Sequence, residues 1–175
     1  MLVWLTASCV PVLIQQNVHG SNFFNRSWAE FKVGFNDTSG NYWLGNDLLS
    51  QLTLSRSYKL RFDLQLRNLT WYYAEYSSLL VYGESRNYEL FVTGYSGNAG
   101  DALSHVHNDR MFTTYDRDND LSRDNCAVFN GGGFWYGNCA WCNVNNVRNR
   151  GNNFRWYSSQ TGNLLLKSTR MWLMC

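Results

Sequence analysis

The most chemically informative stretch is residues 116–120, with the sequence DRDND, which crowds carboxylates into a short part of the chain. Four of the thirteen acidic residues fall within nine positions, namely Asp116, Asp118, Asp120 and Asp124. Such crowding of like charge is costly unless a cation neutralises it or water screens it. Aspartates at alternate positions offer hard oxygen ligands, which suit calcium. Apolar, Thr-rich residues 112–115 precede the run, which predicts a calcium loop on an ordered base, closed by a disulfide. The alternative is a solvated polar loop.

The spacing excludes one well-known calcium motif, the EF-hand. With Asp116 as its first residue, Leu121 stands where that motif needs glycine and Ala127 where it needs a bidentate glutamate. Counting from Asp118 fails at the same two places of the motif. A calcium site in this loop must therefore have another geometry.

The composition is that of one globular domain. A chain of 175 residues with 45% hydrophobic and 16% charged residues can bury a sizeable core and is not a disordered polymer. The net charge is only +2 and Lys/Arg runs are absent, so we expect no nucleic-acid partner. No segment has transmembrane length, so we expect no membrane span. Residues 1–10 are apolar without a basic start, which indicates an N-terminal remnant or a short apolar leader.

Cysteines and glycosylation sequons indicate a secreted, extracellular glycoprotein. The five cysteines are an odd number, so at least one thiol is unpaired or bonded to another chain. Cys139 and Cys142 have the spacing of a zinc knuckle, but no second pair stands at a convincing distance, which leaves zinc as the weaker alternative. Three N-x-S/T sequons predict glycosylation at Asn25, Asn36 and Asn68.

The histidines offer no catalytic arrangement. Only His19, His105 and His107 occur, and no motif places a cysteine nucleophile beside any of them. We expect His105 and His107 to lie in an exposed loop beside the acidic run. The sequence therefore predicts a binding protein rather than an enzyme.

Hydrophobic periodicity predicts an α+β arrangement. Residues 27–30, with the sequence SWAE, form a capping box for a helix that should end near Gly34, and Asn46 can cap a second short helix. Strict alternation over residues 58–66 predicts a half-buried strand. Further strands are predicted at residues 10–15, 69–75 and 87–93, with short spacers that favour antiparallel pairing. After about residue 94, Gly, Asn, Asp and Ser dominate and the periodicity fades.

The ordered set of motifs over roughly residues 11–172 resembles the C-terminal globular domain of fibrinogen, also called the fibrinogen-related domain. The segments that carry the resemblance are Ile14-Gln15-Gln16, Phe24-Asn25-Arg26-Ser27-Trp28, Tyr42-Trp43-Leu44-Gly45-Asn46, Gly94-Tyr95-Ser96-Gly97-Asn98, Phe112-Thr113-Thr114, the acidic run, Asn125-Cys126-Ala127 and Phe134-Trp135-Tyr136 before Cys139. The resemblance implies an α+β fold with a central, mostly antiparallel sheet and short helices in residues 11–95. A loop-rich part for calcium and ligand binding would follow in residues 96–172.

The resemblance also implies roles for individual residues. Calcium ligands would be the side chains of Asp118 and Asp120 and the main-chain carbonyls of Ser122 and Asp124, with Asp116 as a neighbour. A disulfide between Cys126 and Cys139 would fix the wall of a ligand pocket. Cys9, Cys142 and Cys175 have no clear counterpart in the family, and two hypotheses follow: a Cys9–Cys175 bridge between the chain ends, or a disulfide-linked oligomer.

The ligand pocket departs from the family pattern. The candidate contacts are Asn130, Cys139, Ala140 and Trp141, and Asn130 and Ala140 stand where acetyl-binding members have tyrosine and histidine. The resemblance implies a lectin-like recognition module for carbohydrate or acetylated surface groups, stabilised by Ca²⁺. The alternatives are a module that binds a protein receptor without a sugar pocket, and a structural remnant.

Overall fold

The structure, a computed structural model, describes residues 10–18, 21–146 and 154–175. Within these ranges the chain forms nine β-strands and three α-helices. The strands are β1 (Val12–Asn17), β2 (Phe35–Asn36), β3 (Tyr42–Trp43), β4 (Tyr58–Leu66), β5 (Trp71–Val81), β6 (Leu90–Gly97), β7 (Cys142–Asn143), β8 (Arg155–Ser158) and β9 (Gly162–Met174). The helices are α1 (Trp28–Val33), α2 (Asn46–Ser55) and α3 (Cys126–Asn130).

The strands form one antiparallel sheet, as predicted. Its main path runs β2-β3-β1-β9-β4-β5-β6, with β8 paired to β9 and β7 paired to β8. The C-terminal strand β9 therefore lies between β1 and β4, and it joins the beginning and the middle of the chain.

The alternation in residues 58–66 produces the predicted half-buried strand. On β4, Leu60, Phe62 and Leu64 are buried, and the residues between them face the other side of the sheet. Their neighbours across the strands, Ala74 on β5 and Met171 on β9, are buried as well, so the core lies against this one face. The predicted strands at 10–15, 69–75 and 87–93 are β1, β5 and β6, whose observed ranges lie a few residues later in the chain.

The two helices that the sequence predicted, α1 and α2, differ in how they begin. Helix α1 has the predicted capping box: the Ser27 hydroxyl accepts from the Glu30 N–H while the Glu30 carboxylate accepts from the Ser27 N–H. Helix α2 does not use Asn46 as its cap, because Gly45 occupies that position and makes no side-chain cap bond. Asn46 is buried in the first turn instead, where its side chain accepts from the Trp43 indole N–H at 3.1 Å.

Aromatic rings connect the sheet and helices to the loop-rich part. Phe31 of α1 contacts Trp43 of β3 and Phe112, with ring centroids 5.4 and 5.0 Å apart. Phe112 in turn contacts Trp135 at 5.1 Å. The loop-rich part is thus held to the sheet and helices by buried aromatic packing.

The part of the chain after residue 94, where hydrophobic periodicity fades, contains both a long irregular segment and regular strands. Residues 98–125, all within the described ranges, contain neither a helix nor a strand. Strands β8 and β9 were missed. On β9 the buried alternation breaks at residues 167–168, where its pairing with β4 shifts register, so no single period describes the strand. Across the described ranges, no helix is long and apolar enough to cross a membrane.

Candidate functional site

The acidic loop rests on an ordered base, as the sequence predicted. Phe112, Thr113 and Thr114 are buried, and Thr113 exchanges backbone hydrogen bonds with Phe134. The Asn119 side chain donates to the Phe112 carbonyl at 2.8 Å, and the Asn119 N–H donates to the Thr113 hydroxyl at 3.1 Å. The loop is therefore fixed at its middle residue as well as at its ends.

The loop has a regular pattern of side-chain to backbone hydrogen bonds. The side chains of Asp118, Asp120 and Ser122 each accept from the N–H two residues later, at 3.3, 2.8 and 3.4 Å. The second oxygen of Asp120 accepts from the Cys126 N–H at 2.8 Å. Alternate side chains thus hydrogen-bond to nearby backbone N–H groups, and these bonds order the loop up to the start of α3.

The electrostatics of the loop suit a cation. Burial raises the pKa of Asp120, two backbone N–H donors oppose that shift, and the neighbouring Asp118 carboxylate raises the pKa further. A positive ion would relieve this repulsion, and carboxylate and carbonyl oxygens are the ligands that calcium prefers. In the described ranges no three His, Cys, Asp or Glu side chains are grouped to hold a metal. The expected set of two side chains, Asp118 and Asp120, and two carbonyls, Ser122 and Asp124, does not require such a group. Calcium binding there stays a prediction.

Asp116 has a structural role. Its carboxylate accepts from the Trp28 N–H at 2.9 Å and from the Thr114 hydroxyl at 2.7 Å. Trp28 is the first residue of α1, so this acid satisfies a helix N–H that has no partner within the helix. The first aspartate of the run therefore ties the acidic loop to α1.

The disulfide Cys126–Cys139 is present, as predicted. The S–S distance is 2.05 Å and the Cα–Cα distance is 5.5 Å. It joins the first residue of α3 to a segment that contains a cis peptide bond between Asn138 and Cys139. The bridge therefore holds α3 against the loop that follows Gly137.

The remaining cysteines differ from one another. Cys142 is a buried free thiol, and burial raises its pKa well above the ordinary value. Cys175 is disulfide-bonded, and the hypothesis that pairs it with Cys9 concerns a residue outside the described ranges.

A cavity of about 340 Å³ opens beside the bridge. Its lining consists of Phe129, Asn130, Asn138, Cys139, Ala140, Trp141, Asn143 and Arg155. All four predicted ligand contacts line this one cavity, although ligand binding by them stays a prediction. Asn143 and Arg155 were missed, because they lie on β7 and β8, and no periodicity marked those strands. The ring of Trp141 contacts Tyr157 and His105, with centroids 5.4 and 5.7 Å apart, which fixes one wall.

His107 is buried, which makes the expectation of an exposed loop wrong for this residue, while His105 is exposed as expected. The Nδ1 of His107 donates to the Trp135 carbonyl at 2.7 Å, and the Nε2 of His107 accepts from the N–H groups of Trp141 and Cys142 at 3.2 and 3.3 Å. These partners require a neutral ring with its proton on Nδ1. Burial, with a minor contribution from Arg110, lowers the pKa of His107 to about 4. The imidazole therefore supports the backbone behind the cavity wall.

All three sequon asparagines, Asn25, Asn36 and Asn68, are exposed. Asn25 follows a short 3-10 helix, Asn36 lies on the edge strand β2, and Asn68 lies in the turn between β4 and β5. Each side chain is therefore accessible for modification, and glycosylation stays a prediction.

The sheet order, the bridge beside a loop-rich cavity and the acidic loop define a class of recognition domain. The chain matches the family model for the C-terminal globular domain of fibrinogen beta and gamma chains over residues 6–173. It belongs to this family, the fibrinogen-like recognition domains.

Individual relatives agree with that assignment. The chain is 41% identical to human ficolin-3, with 77% of this chain and 45% of the relative covered. It is 38% identical to mouse angiopoietin-related protein 1, with 98% of this chain and 37% of the relative covered. The solved fibrinogen-like globe domain of human ANGPTL2 matches with a TM-score of 0.83 at 36% identity, covering 93% of this chain and 79% of that chain. The chain thus spans less than half the length of ficolin-3 and of angiopoietin-related protein 1.

Proposed function

We propose that the chain is a secreted, extracellular recognition module that binds glycans or acetylated surface groups in the cavity beside the Cys126–Cys139 bridge. The observation that carries this proposal is the cavity itself, whose volume is about 340 Å³ and whose lining combines amide groups with the ring of Trp141. Concave sites with an aromatic wall and a few polar anchors are typical of small-ligand binding.

Binding without chemistry is part of the proposal. A nucleophile pair would need a histidine nitrogen that faces a cysteine or serine side chain. Both ring nitrogens of His107 are already engaged with main-chain groups, and Cys126 and Cys139 are bridged. The chain would therefore recognise its ligand and leave it unchanged.

Calcium would order the loop that supports this cavity. Asp118 and Asp120 would supply side-chain oxygens, and Ser122 and Asp124 would supply carbonyl oxygens. The ion would neutralise the repulsion that burial of Asp120 intensifies. Asp120 accepts from the Cys126 N–H, so an ordered loop would also steady the first residue of the bridge.

Thermal melting in calcium and in chelator tests the metal. At about 2 mM calcium and an extracellular affinity of roughly 10⁻⁴–10⁻³ M, we expect a gain of about 0.6–1.8 kcal/mol. The sharpest variant is Asp118→Asn, because Asp120 also holds two backbone N–H groups and its loss would destabilise the loop even without metal. Asp118→Asn should lose the calcium gain, yet be as stable as wild type or more stable in chelator, where it removes repulsion. An equal melting temperature for wild type in both solutions would exclude the calcium site.

Binding to immobilised glycans tests the cavity. The variant Ala140→Trp places a large ring at a partly exposed lining position and should abolish binding. The matched control, Ala29→Trp, adds the same ring at an exposed position of α1 and should bind as wild type does. If Ala140→Trp binds glycan as well as wild type, the cavity is not the site.

A protein partner is the second candidate. Leu121 in the acidic loop and Phe129 on α3 are 63% and 66% exposed, and Phe129 lies at the rim of the cavity. Large apolar side chains left exposed beside a cleft favour protein contacts. Replacing Leu121 by serine changes an exposed apolar side chain outside the cavity lining, so it should weaken a protein partner and leave sugar binding unchanged, which distinguishes the two candidates.

A further inference from the structure

The cavity is lined by a cationic side chain that has no ion-pair partner among the described residues. Among the described residues, Arg155 is the only charged one in the lining. Of the ten described arginines, Arg26, Arg61, Arg86 and Arg117 pair with a carboxylate, and Arg155 is one of the six that do not. Arg155 makes no ion pair and no side-chain hydrogen bond with any part of the chain that the structure describes. A half-buried guanidinium has five N–H donors, and here they are left for a ligand or for water.

Strand pairing places a second unsatisfied group beside this arginine. In the β7–β8 pair, Asn143 lies directly opposite Arg155. Opposed residues of antiparallel strands project from the same face, and both side chains line the cavity. Asn143 is 2% exposed and lies beside the Tyr136 hydroxyl, and neither of its amide atoms makes a hydrogen bond of good geometry with the described residues. Buried polar atoms in native proteins are nearly always paired, so a poorly paired amide beside the cavity indicates a partner that is absent from the described residues.

The other residues of the cavity lining indicate the chemical class of the ligand. Asn130 and Asn138 add neutral amide groups, while Trp141 and Phe129 add apolar ring surfaces. Amides suit hydroxyl groups, and aromatic rings suit the C–H face of a pyranose. A bare inorganic anion would leave most of the 340 Å³ unfilled. The cavity thus combines sugar-compatible surfaces with one site for a negative charge.

We infer that the cavity selects an acidic sugar, a terminal saccharide unit whose carboxylate is bound by Arg155 beside the Asn143 amide. This inference rests on the proposed function and specifies its ligand. A planar guanidinium matches a carboxylate through two parallel N–H···O bonds, a geometry that lysine cannot reproduce. The neutral acetylated sugars expected from the family resemblance would leave the arginine unpaired and should bind more weakly.

The test compares three immobilised oligosaccharides that differ only in the terminal unit: glucuronic acid, glucose and N-acetylglucosamine. Glucuronic acid carries a carboxylate without an acetyl group, and N-acetylglucosamine carries the reverse. We expect wild type to prefer the glucuronic-acid probe at least about tenfold, as charge-assisted hydrogen bonds allow. Raised salt should reduce that preference. Arg155→Gln should abolish it, and Arg155→Lys should keep only part of it.

The matched control variant is Arg170→Gln, which removes an exposed arginine from β9 outside the cavity and should keep the preference. Melting of each variant verifies that it is folded. If wild type favours glucose or N-acetylglucosamine, or if folded Arg155→Gln still prefers glucuronic acid, the inference is overturned while the proposed glycan function stands. If wild type binds none of the three probes, the proposed function fails, and the inference fails with it.

Discussion

The carboxylate of Asp116 accepts a hydrogen bond from the backbone N–H of Trp28, at an N···O distance of 2.9 Å and across 88 positions of sequence. This bond connects the acidic loop to the first residue of α1. The loop and the helix therefore support each other whether or not a metal is bound.

The variant Asp116→Ala should be destabilised in calcium and in chelator alike. It leaves the Trp28 N–H without its partner, which costs about 1–2 kcal/mol by analogy with the loss of a helix cap. Chemical denaturation in both solutions measures the two differences. The control Asp124→Ala should change little in either solution, because the expected ligand at that position is a carbonyl. A loss confined to calcium would mean that Asp116 acts through the metal and contradict its structural role.

The neutral ring of His107 should make stability depend on pH. Its pKa is about 4 in the folded protein and near 6.5 when unfolded, so the unfolded chain binds more protons between these values. Stability is therefore fully present above about pH 6.5 and is lost as pH falls through about 4, by about 3 kcal/mol in total. Urea denaturation in chelator from pH 7 to pH 4 measures this slope.

The variant His107→Gln isolates the contribution of His107, because glutamine can donate and accept hydrogen bonds but does not titrate. The variant is expected to be less stable at neutral pH and to lose less stability on acidification than wild type does. The carboxylates titrate in both proteins, so their effect cancels in the difference between the two slopes. Parallel slopes would show that His107 does not titrate in this range.

Two glycines should respond oppositely to a methyl group. A Cβ at Gly132 would lie 2.3 Å from the Asn145 carbonyl oxygen, so Gly132→Ala must displace backbone and should cost roughly 1–3 kcal/mol. A Cβ at Gly83 would meet no atom within 4 Å, and φ there is −71°, so Gly83→Ala should be neutral or slightly stabilising. Equal melting temperatures for the two variants would contradict the close approach at Gly132.

Cysteine chemistry should distinguish the thiols. Cys142 is fully buried with a raised pKa, so iodoacetamide should label it at least about a hundredfold more slowly in the native protein than in urea. Peptide mapping without reduction should recover Cys126 joined to Cys139, and Cys175 in a bridge. A Cys175 peptide joined to Cys9 of the same chain would support the end-to-end hypothesis, whereas a joined dimer of chains would support the oligomer. Rapid native labelling of Cys142 would contradict its burial.

The parts of the fold that were predicted correctly are those whose local pattern and tertiary role agree. The capping box at Ser27 and the alternation of β4 are local signals that the final packing preserves. Strand β9 was missed because its period breaks at a register shift, and that break is set by its partner strands. His107 was misjudged for a related reason: a histidine in a polar segment is buried only because Trp135, Trp141 and Cys142 supply its hydrogen bonds from elsewhere in the chain.

The candidate site divides in the same way. The four contacts expected from the family resemblance line one cavity. They are close in sequence, and the Cys126–Cys139 bridge holds α3 beside the segment that follows it. Arg155 and Asn143 reach that cavity only through the pairing of two short strands. No spacing along the chain could have placed this cation beside this amide.

The position of β9 between β1 and β4 has a consequence for biosynthesis. Residues 162–174 leave the ribosome after every other strand, yet they supply hydrogen bonds to two strands made much earlier. Until they emerge, β1 and β4 each present an open edge, the kind of surface that pairs wrongly with other chains. The nascent domain cannot complete this sheet until residues 162–174 emerge, so its open strand edges are exposed to wrong pairing up to that point.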